Sequence, residues 1–282
     1  MEKDQEFYTS CSVQKITLAS INGSNGSPLY NIFLLAGSGT VRVDFTEYEY
    51  EGKIGLFSTP YQHIQFVDDP LTSVLRLQFH GDFYCIEYHK KEVACNGLLF
   101  NNIYQQPYIK LSDEEFQEFL YLSNRLAAEL NFTDSFSDAV ARAYLQLILA
   151  VGSRIKTRTL SSIKNESSRH PIFQFQALLE SHFLNERQPS FYANQLSISV
   201  NSFSKKCREH FRRSPSEMIV ERVIMEAKKM IHLTYKSMKE ISAELNFADE
   251  NYFSRYFKKH TGVSPTTFRE SVGISIVADL SR

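Results

Sequence analysis

Between Ile241 and Arg269 the chain reads ISAELNFADENYFSRYFKKHTGVSPTTFR, in which Arg255, Lys258 and Lys259 are interleaved with Phe247, Tyr252, Phe253, Tyr256, Phe257 and Phe268. Cations beside an apolar stripe at helical spacing suit contact with a polyanion. Lysine and arginine neutralise phosphates, while asparagine and arginine make paired hydrogen bonds to the edges of adenine and guanine. The bland alternative is a core helix with a wet basic face. Other reactive side chains are thinner on the ground. Cys85, Glu87, His89 and Cys95 in CIEYHKKEVAC are metal-binding types, but their spacing matches no common motif, and core cysteine with surface histidine accounts for them better. Asp68-Asp69 precedes Pro70 in a turn and has no partner for acid–base work. No catalytic residue, metal ligand or cofactor site is assigned.

The elements that carry the basic stretch occur twice. FSKKCREHFRRSP, from Phe203 to Pro215, matches FSRYFKKHTGVSP, from Phe253 to Pro265, at an offset of 50. Both open on Phe-Ser and a cation, carry a histidine seven residues later (His210, His260) and close on Ser-Pro. Upstream, Ala193, Leu196 and Ile198 correspond to Ser242, Leu245 and Phe247, and Tyr192 to Ile241. This is the hydrophobic logic of a helix-turn-helix: a small residue at the crossing, a leucine in the angle and an apolar plug in the turn. The expected core is Ala193, Leu196, Ile198, Phe203, Ile241, Leu245, Phe247, Phe253 and Phe257. With Phe203 and Phe253 facing inward, Asn201, Ser202, Lys205, Glu250, Asn251, Tyr252 and Arg255 face outward as candidate base contacts, Asn201, Asn251 and Arg255 foremost. Arg208, Lys258 and Lys259 suit phosphates. Apolar residues from Ile219 to Ile231 recur at helical spacing, so a long helix is expected to join the two units over 217–235.

The first hundred residues follow a different period. NIFLLAG, TVRVDF, IGLFSTP and SVLRLQFH read as strands, with turns expected at Gly37-Ser38-Gly39 and Glu51-Gly52-Lys53. An antiparallel barrel or sandwich follows. Tyr30, Phe33, Phe57, Tyr61, Phe66, Phe79 and Phe83 line a ligand cavity or fill a plain core, and the sequence leaves both open. A capping box at Ser112-Asp113-Glu114-Glu115 starts one helix, and a second is expected from Ser137 to Gly152. This pair packs on its own domain or forms a dimer face. The segment KTRTLSSIKNESSR, 156–169, is rich in Ser, Thr and charge and reads as a linker.

A length of 282 residues favours two domains, and 43% hydrophobic content with 22% charge allows a sizeable core. Residues 170–282 hold 16 Lys and Arg against 12 Asp and Glu, and residues 1–169 hold 15 against 20, so the basic excess lies in the helical half. The N-terminal residues lack an apolar export signal and no apolar run would span a membrane. A cytoplasmic protein with four scattered, reduced cysteines is expected.

From about Ile172 to Val272 the sequence resembles the DNA-binding domain of AraC/XylS-type transcription regulators, through IS..LNF.DENYFSRYFKKHTGVSPTTFR and YANQLSISVNSFSKKCREHF. Asn246 stands where that family usually has glycine; Cys207 and Arg212 replace its usual aromatic and glycine in the first unit. LLAGSGTVRVDFTEYEYEGKIGLFSTP is similar, more loosely, to the cupin-like domain of such regulators, without the paired histidines of enzymatic cupins; His63 stands alone. The resemblance implies an α+β protein of two domains: a cupin-like sensing or dimerisation domain with its helix pair (1–155), a linker (156–169), an all-α double helix-turn-helix (170–275) and a tail (276–282). It implies a regulator that binds double-stranded DNA as a homodimer, with RNA polymerase and a small-molecule effector as further candidate partners. The competing reading is a metal-dependent cupin-type enzyme with an appended helical partner-binding module.

Overall fold

The structure is a computed structural model that describes residues 11–22, 26–44, 46–67, 72–84, 98–100, 103–132, 134–167 and 172–274. Its N-terminal part is one antiparallel sheet of β1 (Cys11–Thr17), β2 (Tyr30–Val43), β3 (Thr46–Ser58), β4 (Ile64–Phe66), β5 (Ser73–Phe79) and β6 (Tyr108–Leu111), with a short α1 (Leu18–Asn22) after β1. The order is β1-β5-β2-β3-β6, with β4 also on β2. The expected antiparallel strands are present, and among the described residues the two ends of the path, β1 and β6, do not pair with each other.

β2 and β3 form one long hairpin paired from Asn31↔Ser58 to Val43↔Thr46. The two turns expected at 37–39 and 51–53 are therefore corrected. Gly37 pairs with Gly52 inside the hairpin, at φ 138° and 86°, and the chain reverses at Asp44, itself at φ 52°. Glycine there supplies backbone freedom within a strand rather than an end to it. The apolar run NIFLLAG is continuous because both faces of β2 are buried. Ile32 and Leu34 pack with Phe57 and Leu77, while Phe33, Leu35, Val41 and Val43 pack with Leu18, Tyr48 and Ile54.

The first of these clusters extends into α2 (Asp113–Glu129) and α3 (Ser137–Ser167) through Phe119, Leu126, Leu145 and Ile148. Ser112 caps α2 with the expected box, its hydroxyl accepting from the Glu115 backbone and the Glu115 carboxylate from the Ser112 N–H. α3 does not stop at Gly152. It continues to Ser167, so most of the segment expected to be a linker is helical. Its threonines are accommodated because Thr157 and Thr159 donate back to the carbonyls of Ser153 and Ile155, at 2.8 and 3.1 Å. Lys156, one turn beyond Gly152, is buried and donates to the carbonyls of Gln106 and Tyr108 at the start of β6. The cysteine, glutamate and histidine cluster of 85–95 and the Asp68-Asp69 pair lie outside the described residues.

The C-terminal half is helical: α4 (Ile172–His182), α5 (Pro189–Gln195), α6 (Val200–Phe211), α7 (Pro215–Leu233), α8 (Met238–Glu244), α9 (Glu250–Thr261) and α10 (Pro265–Val272). One core unites them through Phe175, Tyr192, Phe203, Met218, Ile241, Phe253, Phe257 and Phe268. α7 is the joining helix, and Ser214 starts it with a capping box to Glu217 and Pro215 at the first turn. Among the described residues no helix is long and apolar enough to cross a membrane.

Candidate nucleic-acid interface

The two repeats have the same backbone. In the first, Leu196 N–H donates to Tyr192 O, Ser197 to Asn194 O and Ile198 to Ala193 O; in the second, Leu245 donates to Ile241 O, Asn246 to Ala243 O and Phe247 to Ser242 O, all at 2.9–3.0 Å. Each α5 or α8 thus ends in one left-handed residue, Ser197 at φ 55° and Asn246 at φ 56°. Asparagine tolerates this conformation, so the turn survives without glycine. Ser199 and Asp249 then cap α6 and α9, accepting from the backbone of Ser202 and Tyr252. The helices end alike as well, with Arg212 at φ 56° and Gly262 at φ 82°. Arginine occupies a position that favours glycine, and backbone strain of about 1 kcal/mol is stored there.

Every expected core residue is buried except Ile198, which is partly buried against the same cluster. Cys207 fills the aromatic's place deep in the core, and burial pushes its thiol up to about 12, so it packs as a small hydrophobe. On α6, Asn201, Lys205 and Arg208 are exposed and Ser202 is half-buried. Asn201, Ser204, Lys205, Arg208 and Glu209 line a shallow depression on that face. On α9, Glu250, Asn251, Tyr252, Arg255, Lys258 and Lys259 are all exposed. The ten candidate contacts thus divide between two faces, four on α6 and six on α9. Lys205 has Glu209 at 3.9 Å, whereas Arg208, Arg255, Lys258 and Lys259 have no carboxylate within ion-pair distance among the described residues. Tyr252, although nearly half exposed, leans on Phe247 at a ring distance of 5.7 Å, which fixes its direction.

Residues 192–271 match a family model described as a helix-turn-helix domain. The transcriptional regulator ExsA of Pseudomonas aeruginosa is 25% identical over 111 residues, which is 39% of this chain and 40% of ExsA. The C-terminal region is an AraC-type helix-turn-helix domain. A second relative of this AraC-type domain, the transcriptional activator RhaS of Escherichia coli, is 24% identical over 127 residues, 45% of this chain and 44% of RhaS. The chain therefore spans less than half the length of these curated relatives. Among solved structures, Vibrio cholerae ToxT with an unsaturated fatty acid bound aligns over 94% of this chain and 96% of its own, at 14% identity and a TM-score of 0.42.

Sequence reasoning missed the residues that join the sheet to the AraC-type domain. Arg213, just past the end of α6, is buried and donates to Thr46 Oγ1 at 3.0 Å, to the Ile103 carbonyl at 2.6 Å, to the Tyr48 hydroxyl and to Glu221 on α7. Burial pushes the Glu221 carboxyl up to about 7, against the pull of Arg213. Lys228 on α7 donates to the Pro60 carbonyl at 2.8 Å, and burial lowers its ammonium to about 8 while the Asp44 charge opposes that shift. Tyr61 belongs to the helical core, its ring 5.4 Å from Phe268, and His63 lies against Gly262 at the end of α9. The signal available in sequence was slight: a second arginine in RRSP, and a tyrosine after a proline.

Proposed function

We propose that this chain is a sequence-specific DNA-binding transcription regulator, with α6 and α9 as its two reading helices. The observation that carries this reading is the duplicated backbone, which presents Arg208 and Lys258, with no carboxylate in ion-pair reach among the described residues, at the same place in each copy. Asn201, Asn251 and Arg255 meet base edges, with Ser202, Lys205, Glu250 and Tyr252 beside them; Arg208, Lys258 and Lys259 meet phosphates. In this reading the chain is not an enzyme.

The sheet domain is assigned a sensing role, a dimerising role, or both. A cavity of about 460 Å³ between the sheet and the helices, reached by Asp44, Tyr104, Arg213, Lys228 and His232, supports an effector site. Exposed Tyr121, Phe132, Phe136, Val140 and Leu147 on or between α2 and α3 support a homodimer face. Because one rim of the sheet touches the ends of both reading helices, through Arg213 and His63, a change in the sheet domain reaches both. The test is selection of bound DNA from a pool of genomic fragments, followed by Arg255→Ala and Asn251→Ala. Each variant should keep its fold and lose preference for the selected sites. Equal preference in wild type and variants would refute the assignment of these residues.

A further inference from the structure

α7 joins the two helix-turn-helix units covalently, and both pack against it in one core. A second link runs from the loop between α4 and α5. There the Arg187 guanidinium lies over the Phe247 ring at 3.9 Å and within 6.0 Å of the Tyr256 ring. It donates to the carbonyls of Leu245 and, at 3.4 Å, of Asn246. Those carbonyls end α8 and form the turn before α9, where the helix dipole favours a cation. Beside it the Asn246 amide donates to Asn185 Oδ1 at 3.3 Å. The loop itself is tied to the first unit: Glu186 O accepts from the hydroxyl of fully buried Tyr192 on α5, at 2.7 Å.

From this geometry we propose that Arg187 is a positioning residue for DNA reading, bolting the turn of the second unit to the first and so setting the separation of α6 and α9. The inference rests on the DNA-reading proposal and adds to it a determinant of spacing. It also gives Asn246 a purpose that glycine lacks, since only a side chain reaches Asn185. Arg187 has no carboxylate partner among the described residues, and its interactions are with ring faces and carbonyls. Its planar fork makes both contacts at once, which a lysine ammonium cannot do. It is only half-exposed and its guanidinium is engaged by those carbonyls and the Phe247 ring, so it is not assigned a DNA contact.

The experiment uses the full chain and a duplex selected by the wild-type protein, together with duplexes carrying one base pair inserted or removed between the two protected segments. Wild type should bind the selected spacing tightly and the altered spacings at least about tenfold more weakly, as expected when two rigidly held helices must both reach their grooves. Arg187→Ala should lose about tenfold at the selected spacing, in keeping with a lost cation–π contact and charge-assisted hydrogen bonds. Its penalty for altered spacing should shrink to about threefold or less. Arg187→Lys should resemble the alanine variant. Asn185→Ala, a mild change at an exposed position, should relax the spacing penalty in the same direction and keeps the test sound if Arg187→Ala does not fold. An unchanged spacing penalty in Arg187→Ala, or a uniform loss at every spacing, overturns the bolt. A wild-type protein that protects no pair of segments at any spacing overturns instead the DNA-reading proposal beneath it.

Discussion

Replacing Arg213 by methionine tests whether the sheet and the AraC-type domain are held as one unit. Arg213 and Glu221 keep 6% and 12% of their side-chain surface exposed, so removing the cation strands a buried carboxylate. Breaking such a pair costs about 3–5 kcal/mol where the remaining group stays charged. Glu221 has an outlet, because its folded value of about 7 already lies above its ordinary 4.5 and loss of the Arg213 charge, which pulls it down, raises it further. A raised carboxyl holds its proton more tightly in the folded state, so its contribution to stability is present below 4.5 and is lost as pH rises through about 7. The Arg213→Met cost should therefore be largest at pH 8, at about 3–5 kcal/mol. It should fall to about 2 kcal/mol at pH 5.5, reflecting the hydrogen bonds lost at Thr46, Tyr48 and Ile103. For a chain of this size the pH 8 cost is a drop in melting temperature on the order of 10 °C. Calorimetry is the assay, because it also shows whether the variant melts in two transitions where wild type melts in one. Arg213→Met with Glu221→Met should recover most of the loss, since an apolar pair strands no charge. An unchanged melting temperature in the single variant, or a double variant no more stable than the single, would refute this reasoning.

Three further outcomes follow from the same geometry. Phe253→Ala removes a fully buried ring from the helical core and should cost about 3–5 kcal/mol in urea denaturation, whereas Tyr252→Ala next to it should cost under about 1 kcal/mol. Asn246→Val places a β-branched residue at φ 56° and should cost about 1–2 kcal/mol, while Asn246→Gly should cost much less, measured by thermal melting. Lys156 and Lys228 are each lowered by burial to about 8 from 10.5, so the unfolded chain binds their protons more tightly and wild-type stability should rise between pH 8 and 10.5. Each lysine contributes roughly 3 kcal/mol at most to that rise, and Lys156→Met should flatten it in denaturation curves taken across the range.

The helix-turn-helix pair was legible because its determinants are local and occur twice. Leu196 and Leu245 end their helices on carbonyls one turn back, the paired Ser-Pro caps act within their own first turn, and Phe203 and Phe253 recur at the same place in each copy. Legibility failed where a distant partner decides. Gly37 looks like a turn until Gly52 is placed opposite it, and the 14-residue β2 runs on because β3 pairs along its whole length. The Ser- and Thr-rich segment after Lys156 has a linker's composition, yet its threonines bond to their own helix and Lys156 finds carbonyls about fifty residues back. Arg213 reads as one more surface cation of a basic helix, since its partners Thr46 and Tyr48 lie 167 and 165 positions away. Arg187 is hidden in the same way, with Leu245 and Asn246 at separations of 58 and 59.

The central claim is that one chain reads DNA with two helices, and hydroxyl-radical footprinting of a selected site tests it most directly. A single bound chain should protect two segments about 34 Å apart on one face of the duplex. Arg208→Ala should weaken the footprint at one segment and Lys258→Ala at the other. Protection confined to one short segment, unchanged by either substitution, would contradict the account.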